Sequence, residues 1–113
     1  MDKKRVAIIG VTGSVGQEFV QSLHNHPWFE VTQIAASERS AGKKYLDAIR
    51  EPSGIIAWDV GGEIPDYIKE MTVRRIDEIN TSEINFIFSA VESEAARSIE
   101  TKMAADLPVI STS

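Results

Sequence analysis

Val6-Ala7-Ile8-Ile9-Gly10-Val11-Thr12-Gly13-Ser14-Val15-Gly16-Gln17 is the stretch that decides how this chain folds. Its first four residues are continuously apolar and mostly β-branched, the composition of a strand buried on both faces of a parallel sheet. Three glycines at equal spacing follow. Gly10 lets the chain turn, and Gly13 and Gly16 leave room for a ligand's pyrophosphate and for close packing of a helix on the strand. The free N–H groups at the start of that helix attract an anion. The spacing G-x-x-G-x-x-G departs from the commoner G-x-G-x-x-G, so the preceding strand and following helix carry as much weight as the glycines. A βα turn that uses glycine for geometry alone is the plainer alternative. No Lys-Ser or Lys-Thr follows the last glycine, which excludes a Walker A triphosphate loop.

Downstream, Val15, Phe19, Val20 and Leu23 share one face of a helix predicted to run to about His26, where Pro27 closes it. Residues 29–36 read as a second strand that ends in small residues, and residues 37–42 as a polar loop. Residues 43–51 are expected to be partly helical, and residues 55–62 to form a short extended segment and a turn at Gly61-Gly62. Pro65 opens a short helix, and residues 72–76 and 84–89 read as strands. A helix over residues 92–105 presents Ala95, Ala96, Ile99 and Met103 on its apolar face, and residues 108–111 form a last strand. Strands and helices therefore alternate. The expected fold is an α/β, Rossmann-like, doubly wound and mostly parallel sheet with helices on both faces. Ligands bind such sheets beyond the carboxyl ends of the strands, where Gly10, Ser37, Ser89 and Ser111 fall.

The loop after the second strand faces the adenine ribose in dinucleotide-binding folds, and here it offers Glu38 and Arg39. Arg39 with the hydroxyls of Ser37 and Ser40 makes a clamp for a 2′-phosphate, which selects NADP over NAD. A surface arginine paired with Glu38 is the alternative.

The composition fits a soluble domain. The 113 residues make one domain, residues 1–113, with 42% hydrophobic and 26% charged residues. A net charge of −5, with no basic stripe beyond Lys3-Lys4-Arg5 and Arg74-Arg75, argues against a nucleic-acid partner. The basic start resembles part of a signal peptide, but its apolar run is too short, and no segment approaches the roughly 20 residues of a membrane span. The expected location is cytoplasmic, away from membranes. The absence of cysteine removes disulfides, thiolate metal sites and a cysteine nucleophile from these residues.

The glycine loop, Asn25-His26-Pro27 and Ala35-Ala36-Ser37-Glu38-Arg39-Ser40-Ala41-Gly42-Lys43-Lys44-Tyr45 together resemble the amino-terminal domain of aspartate-semialdehyde dehydrogenase, most of all its archaeal and fungal form. The resemblance runs through Phe86-Ile87-Phe88-Ser89-Ala90 to Val109-Ile110-Ser111 and is loose over residues 55–76. It implies NADPH-dependent reduction of L-4-aspartyl phosphate to aspartate semialdehyde, on the way to lysine, threonine, methionine and isoleucine, by an oligomeric enzyme. By matching positions, it implies that Thr12, Gly13, Ser14 and Val15 hold the pyrophosphate within the turn shaped by Gly10 and Gly16. Ser37, Arg39 and Ser40 would hold the 2′-phosphate, Ser89 and Ala90 would lie near the middle of the cofactor, and Ser111 near its nicotinamide end. Thr112 stands where the family usually has asparagine.

The family's catalytic and dimerisation domain, with its cysteine nucleophile, histidine base and substrate-binding arginines, has no counterpart in these residues. His24 and His26 lie at the end of the first helix, away from the strand ends, and read as helix-terminal histidines. The chain as written is expected to bind NADP and to catalyse nothing alone. The same domain in malonyl-CoA reductase or N-acetyl-glutamyl-phosphate reductase, and a stand-alone NADP-binding protein, are the competing expectations.

Overall fold

The computed structural model describes residues 3–91 and 94–111. Five strands form one sheet: β1 (Lys4–Ile9), β2 (Phe29–Ala36), β3 (Val73–Arg75), β4 (Phe86–Ser89) and β5 (Val109–Ser111). Their order is β3-β2-β1-β4-β5, and every neighbouring pair is parallel. The chain steps outward from β1 through β2 to β3, then returns to place β4 on the other side of β1. The strand order thus reverses between β1 and β4, at the carboxyl end of β1 where the glycine-rich turn begins.

Alternation along β1 divides the core into two layers. Val6 and Ile8 point into a cluster with Val20 and Leu23 of the first helical segment, Tyr45, Ile49 and Ile68. Ala7 and Ile9 point the other way, among Ile76, Ile79, Ile87 and Met103. The last four of the six β1 residues, Val6 to Ile9, are fully buried, which explains why an unbroken apolar run was required there. The helices α1 (Ser14–Ser22), α2 (Tyr45–Ala48) and α3 (Asp66–Lys69) belong to the first layer, and α4 (Glu94–Met103) to the second.

Several boundaries differ from the sequence reading, including β5, which starts at Val109 rather than residue 108. α1 stops at Ser22 rather than near His26, with Leu23 as its C-cap. Asn25 takes a positive φ of 56°, a left-handed conformation that ends a helix before Pro27 can. β3 and β4 are shorter than residues 72–76 and 84–89, because a 3-10 turn begins at Ile76 and a bend precedes Phe86. α4 ends at Met103, two residues before the expected boundary at residue 105. Glu92, Thr112 and the side chains of Ala95, Ala96 and Ile99 lie outside the described residues. Among the described residues, no helix is long and apolar enough to cross a membrane.

Candidate cofactor site

β1 delivers the chain into the glycine turn. Gly10 has φ +75°, and a Cβ there would stand 2.8 Å from both the carbonyl carbon and oxygen of Ala90. Two strand ends can meet so closely only because this position lacks a side chain, and the Ala90 N–H donates to the Ile9 carbonyl at 2.9 Å across the join. Gly16 is needed for a different contact: a Cβ there would lie 2.2 Å from the Gly10 carbonyl oxygen, so α1 sits directly on the turn. Gly13 is the exception. Nothing lies within 4 Å of its absent Cβ, which leaves open space in front of the helix.

Gly13 is the N-cap of α1, and no side chain caps the helix. The N–H groups of its first turn therefore point into that space with the positive end of the helix dipole behind them. The space is part of a cavity of about 380 Å³ bordered by Gly10, Thr12, Gly13, Ser14, Val15 and Ser37, with Ala90 and Val91 along the β4 end. A second cavity of about 300 Å³ shares Thr12 and Ser37 with it and adds Arg39, Ser40 and Arg50. Together they make a cleft from the helix N-terminus to the loop after β2. Uncapped donors, a glycine facing empty space and an arginine with hydroxyls at the far end make this cleft suited to an anionic ligand.

Nine of the twelve residues expected at the site line this cleft: Gly10, Thr12, Gly13, Ser14, Val15, Ser37, Arg39, Ser40 and Ala90. Gly16 is buried beneath it and shapes the turn. Ser89 is 1% exposed within the sheet, in register with Ile9 and Ser111 at the shared carboxyl edge of three strands, and Val91 rather than Ser89 borders the cavity. For Ser111 the structure describes only the backbone, paired with Ser89.

Glu38 approaches Arg75, with Nη2–Oε1 at 3.3 Å, and not its neighbour Arg39. Arg39 is exposed and lines the second cavity. The histidines are elsewhere: His24 stacks on Tyr67, and the His26 Nδ1 accepts from the Trp28 N–H.

Three buried side chains with polar ends hold the site together, and the sequence assigns none of them a part in it: Gln17, Gln33 and Tyr45, the last expected as a core or domain-interface residue. Gln17, 1% exposed, donates from Nε2 to the carbonyls of Thr12 (3.0 Å) and Ala57 (2.8 Å), and its Oε1 accepts from the Asp59 N–H at 2.7 Å. The Tyr45 hydroxyl donates to the Val11 carbonyl at 3.1 Å, and burial pushes this phenol well above its ordinary range. Gln33 ties β2 to the segment before β4 through both the N–H and carbonyl of Asn80. The glutamine after the last glycine was the one local signal available, since a polar residue on the apolar side of α1 has to be satisfied by something.

Residues 5–113 match the family model described as semialdehyde dehydrogenase, NAD binding domain. Aspartate-semialdehyde dehydrogenase of Archaeoglobus fulgidus is 40% identical over 99 residues, which are 88% of this chain and 26% of that protein. The enzyme of the same name from Saccharomyces cerevisiae is 36% identical over 110 residues, 96% of this chain and 28% of its own length. Among solved structures, aspartate semialdehyde dehydrogenase with NADP from Candida albicans superposes with a TM-score of 0.83 at 35% identity, covering 97% of this chain and 29% of that one. The chain spans about a quarter of the length of the curated relatives it matches.

Proposed function

The chain belongs to the semialdehyde dehydrogenase family through its NAD-binding domain, and from that we propose that it holds NADP(H) for the reduction of L-4-aspartyl phosphate to aspartate semialdehyde. The observation that carries the choice of NADP is the position of Arg39. It borders the cavity beside Ser37 and Ser40, while the nearest acid in sequence, Glu38, is engaged by Arg75. A carboxylate aimed at the ribose would favour a free 2′-hydroxyl, whereas a guanidinium with two hydroxyls favours a phosphate. The NADP carried by the Candida albicans relative supports the same choice.

In this reading the uncapped N–H groups of α1 and the Thr12 and Ser14 side chains bind the pyrophosphate. Gly10 brings the β4 end close enough for Ala90 and Val91 to border the cofactor's middle. Bound NADPH supplies the hydride. A thiol nucleophile for the acyl group has to come from outside these 113 residues, which contain no cysteine; on their own they bind the cofactor and do not turn it over. The whole enzyme is soluble, cytoplasmic and oligomeric.

Titration of the protein with NADPH and NADH tests the cofactor assignment. One charge-assisted hydrogen bond is worth roughly 1.5–3 kcal/mol, so NADPH should bind about tenfold to a hundredfold more tightly. Equal affinities would contradict it.

A further inference from the structure

Arg50 borders the same cavity as Arg39 but comes from a different part of the chain, directly after α2. We propose that Arg50 is the second guanidinium of the 2′-phosphate site and sets the strength of discrimination against NAD. This role rests on the NADP assignment above.

The charge of the cavity wall is the first reason. Its charged residues are Arg39, Arg50 and Glu51. With Arg39 alone Glu51 would leave the wall neutral, a poor match for a phosphate dianion; Arg50 adds a second positive charge to it, and Asp47, whose carboxylate stands 3.9 Å from the Arg50 Nε, does not border the cavity.

The second reason is how firmly the backbone at Arg50 is fixed relative to the glycine turn. Arg50 forms an antiparallel bridge with Ile56, flanked by bonds from the Glu51 N–H to the Ile55 carbonyl and from the Ala57 N–H to the Ile49 carbonyl, both 2.8 Å. The Ala57 carbonyl in turn accepts from Gln17, and Tyr45, at the start of α2, donates to Val11. Two buried polar ties thus connect the segment bearing Arg50 to both sides of the pyrophosphate turn. The backbone at Arg50 is thereby held at a set distance from the glycine turn.

The third reason is spare donor capacity. Among the described residues the side chain donates one hydrogen bond, from Nη1 to the Gly54 carbonyl at 3.2 Å, and its Nε stands 3.9 Å from Asp47. A guanidinium has five N–H donors, so most remain for an oxyanion.

Calorimetric titration of NADP and NAD into the wild type, R39A and R50Q separates the possibilities. Glutamine removes the charge while keeping a donor for the Gly54 carbonyl. R50Q should weaken NADP by about tenfold and NAD by less than about twofold. An unchanged NADP-to-NAD ratio in R50Q, with the ratio lowered in R39A, would refute the role of Arg50 and leave the NADP assignment standing. Equal weakening of both cofactors in R50Q would show a purely structural role and also refute it. A wild type without preference for NADP would overturn both. Independently of any variant, adenosine 2′,5′-bisphosphate should protect Arg50 of the wild type from phenylglyoxal, read by mass spectrometry; modification at the unprotected rate would contradict the proposal.

Discussion

A Cβ at Gly16 would stand 2.2 Å from the carbonyl oxygen of Gly10, whereas one at Gly13, between them, would meet nothing within 4 Å. Two of three similar glycines are thus fixed by packing of the chain on itself, and the middle one by no contact within the described residues. Gly16→Ala should destabilise the fold by about 1–3 kcal/mol or more, because the opposing atoms are backbone and cannot swing away. For a domain of this size that is a fall in melting temperature of at least about 4 °C. Gly13 has a φ of −78°, which any residue adopts. Gly13→Val should therefore lower the melting temperature by only a few degrees, the cost of a poorer N-cap, and abolish cofactor binding. Loss of stability at Gly13 with binding intact would contradict the division.

Gln17 has a stability role distinct from that of the glycines. Gln17→Leu leaves the Ala57 and Thr12 carbonyls and the Asp59 N–H without their buried partner. Each orphaned group costs about 1–3 kcal/mol, so the variant should melt well below the wild type despite its added apolar surface. Hydrogen exchange localises the damage: amides of residues 57–62 should lose protection first, since Gln17 supplies the buried bonds that fasten that segment to α1, beside the exposed Gln21–Gly61 and Ser14–Asp59 bonds.

Burial raises the pKa of both Tyr45 and Tyr67 well above the ordinary phenol value near 10. Their hydroxyls donate to the Val11 and Val20 carbonyls. A group whose pKa is raised on folding contributes stability that is complete below its unfolded pKa and is lost as pH rises towards the folded one. The melting temperature should therefore not vary with pH on account of these phenols below about pH 10 and should fall steadily above it. Tyr67→Phe should make that alkaline decline shallower. A decline equally steep in the variant would mean that Tyr67 does not drive it.

Much of this was legible in the sequence. The run from Val6 to Ile9 marks a strand buried on both sides, and the structure divides its side chains between two core layers as that composition requires. The second strand was read at its observed limits because Pro27 before it and the polar loop after it punctuate the chain. Ser37, Arg39 and Ser40 cluster in sequence, so their shared cavity could be anticipated. Arg50 and Gln17 could not be placed in the same way. Their partners lie across the loosely patterned residues 51–62, and no local periodicity shows that a surface hairpin returns to the glycine turn. The end of α1 was missed because its stop depends on one left-handed residue, Asn25, whose conformation competes with a helical pattern that otherwise continues.

The central claim is that Arg39 makes this an NADP site, and the discrimination of the Arg39→Ala variant tests it most directly. Binding of NADPH and NADH, followed by quenching of Trp58 and Trp28 or by calorimetry, gives the ratio of affinities for wild type and variant. NADPH affinity should fall by about tenfold or more while NADH affinity stays nearly constant. A ratio unchanged from the wild type would show that the 2′-phosphate is held elsewhere or not at all.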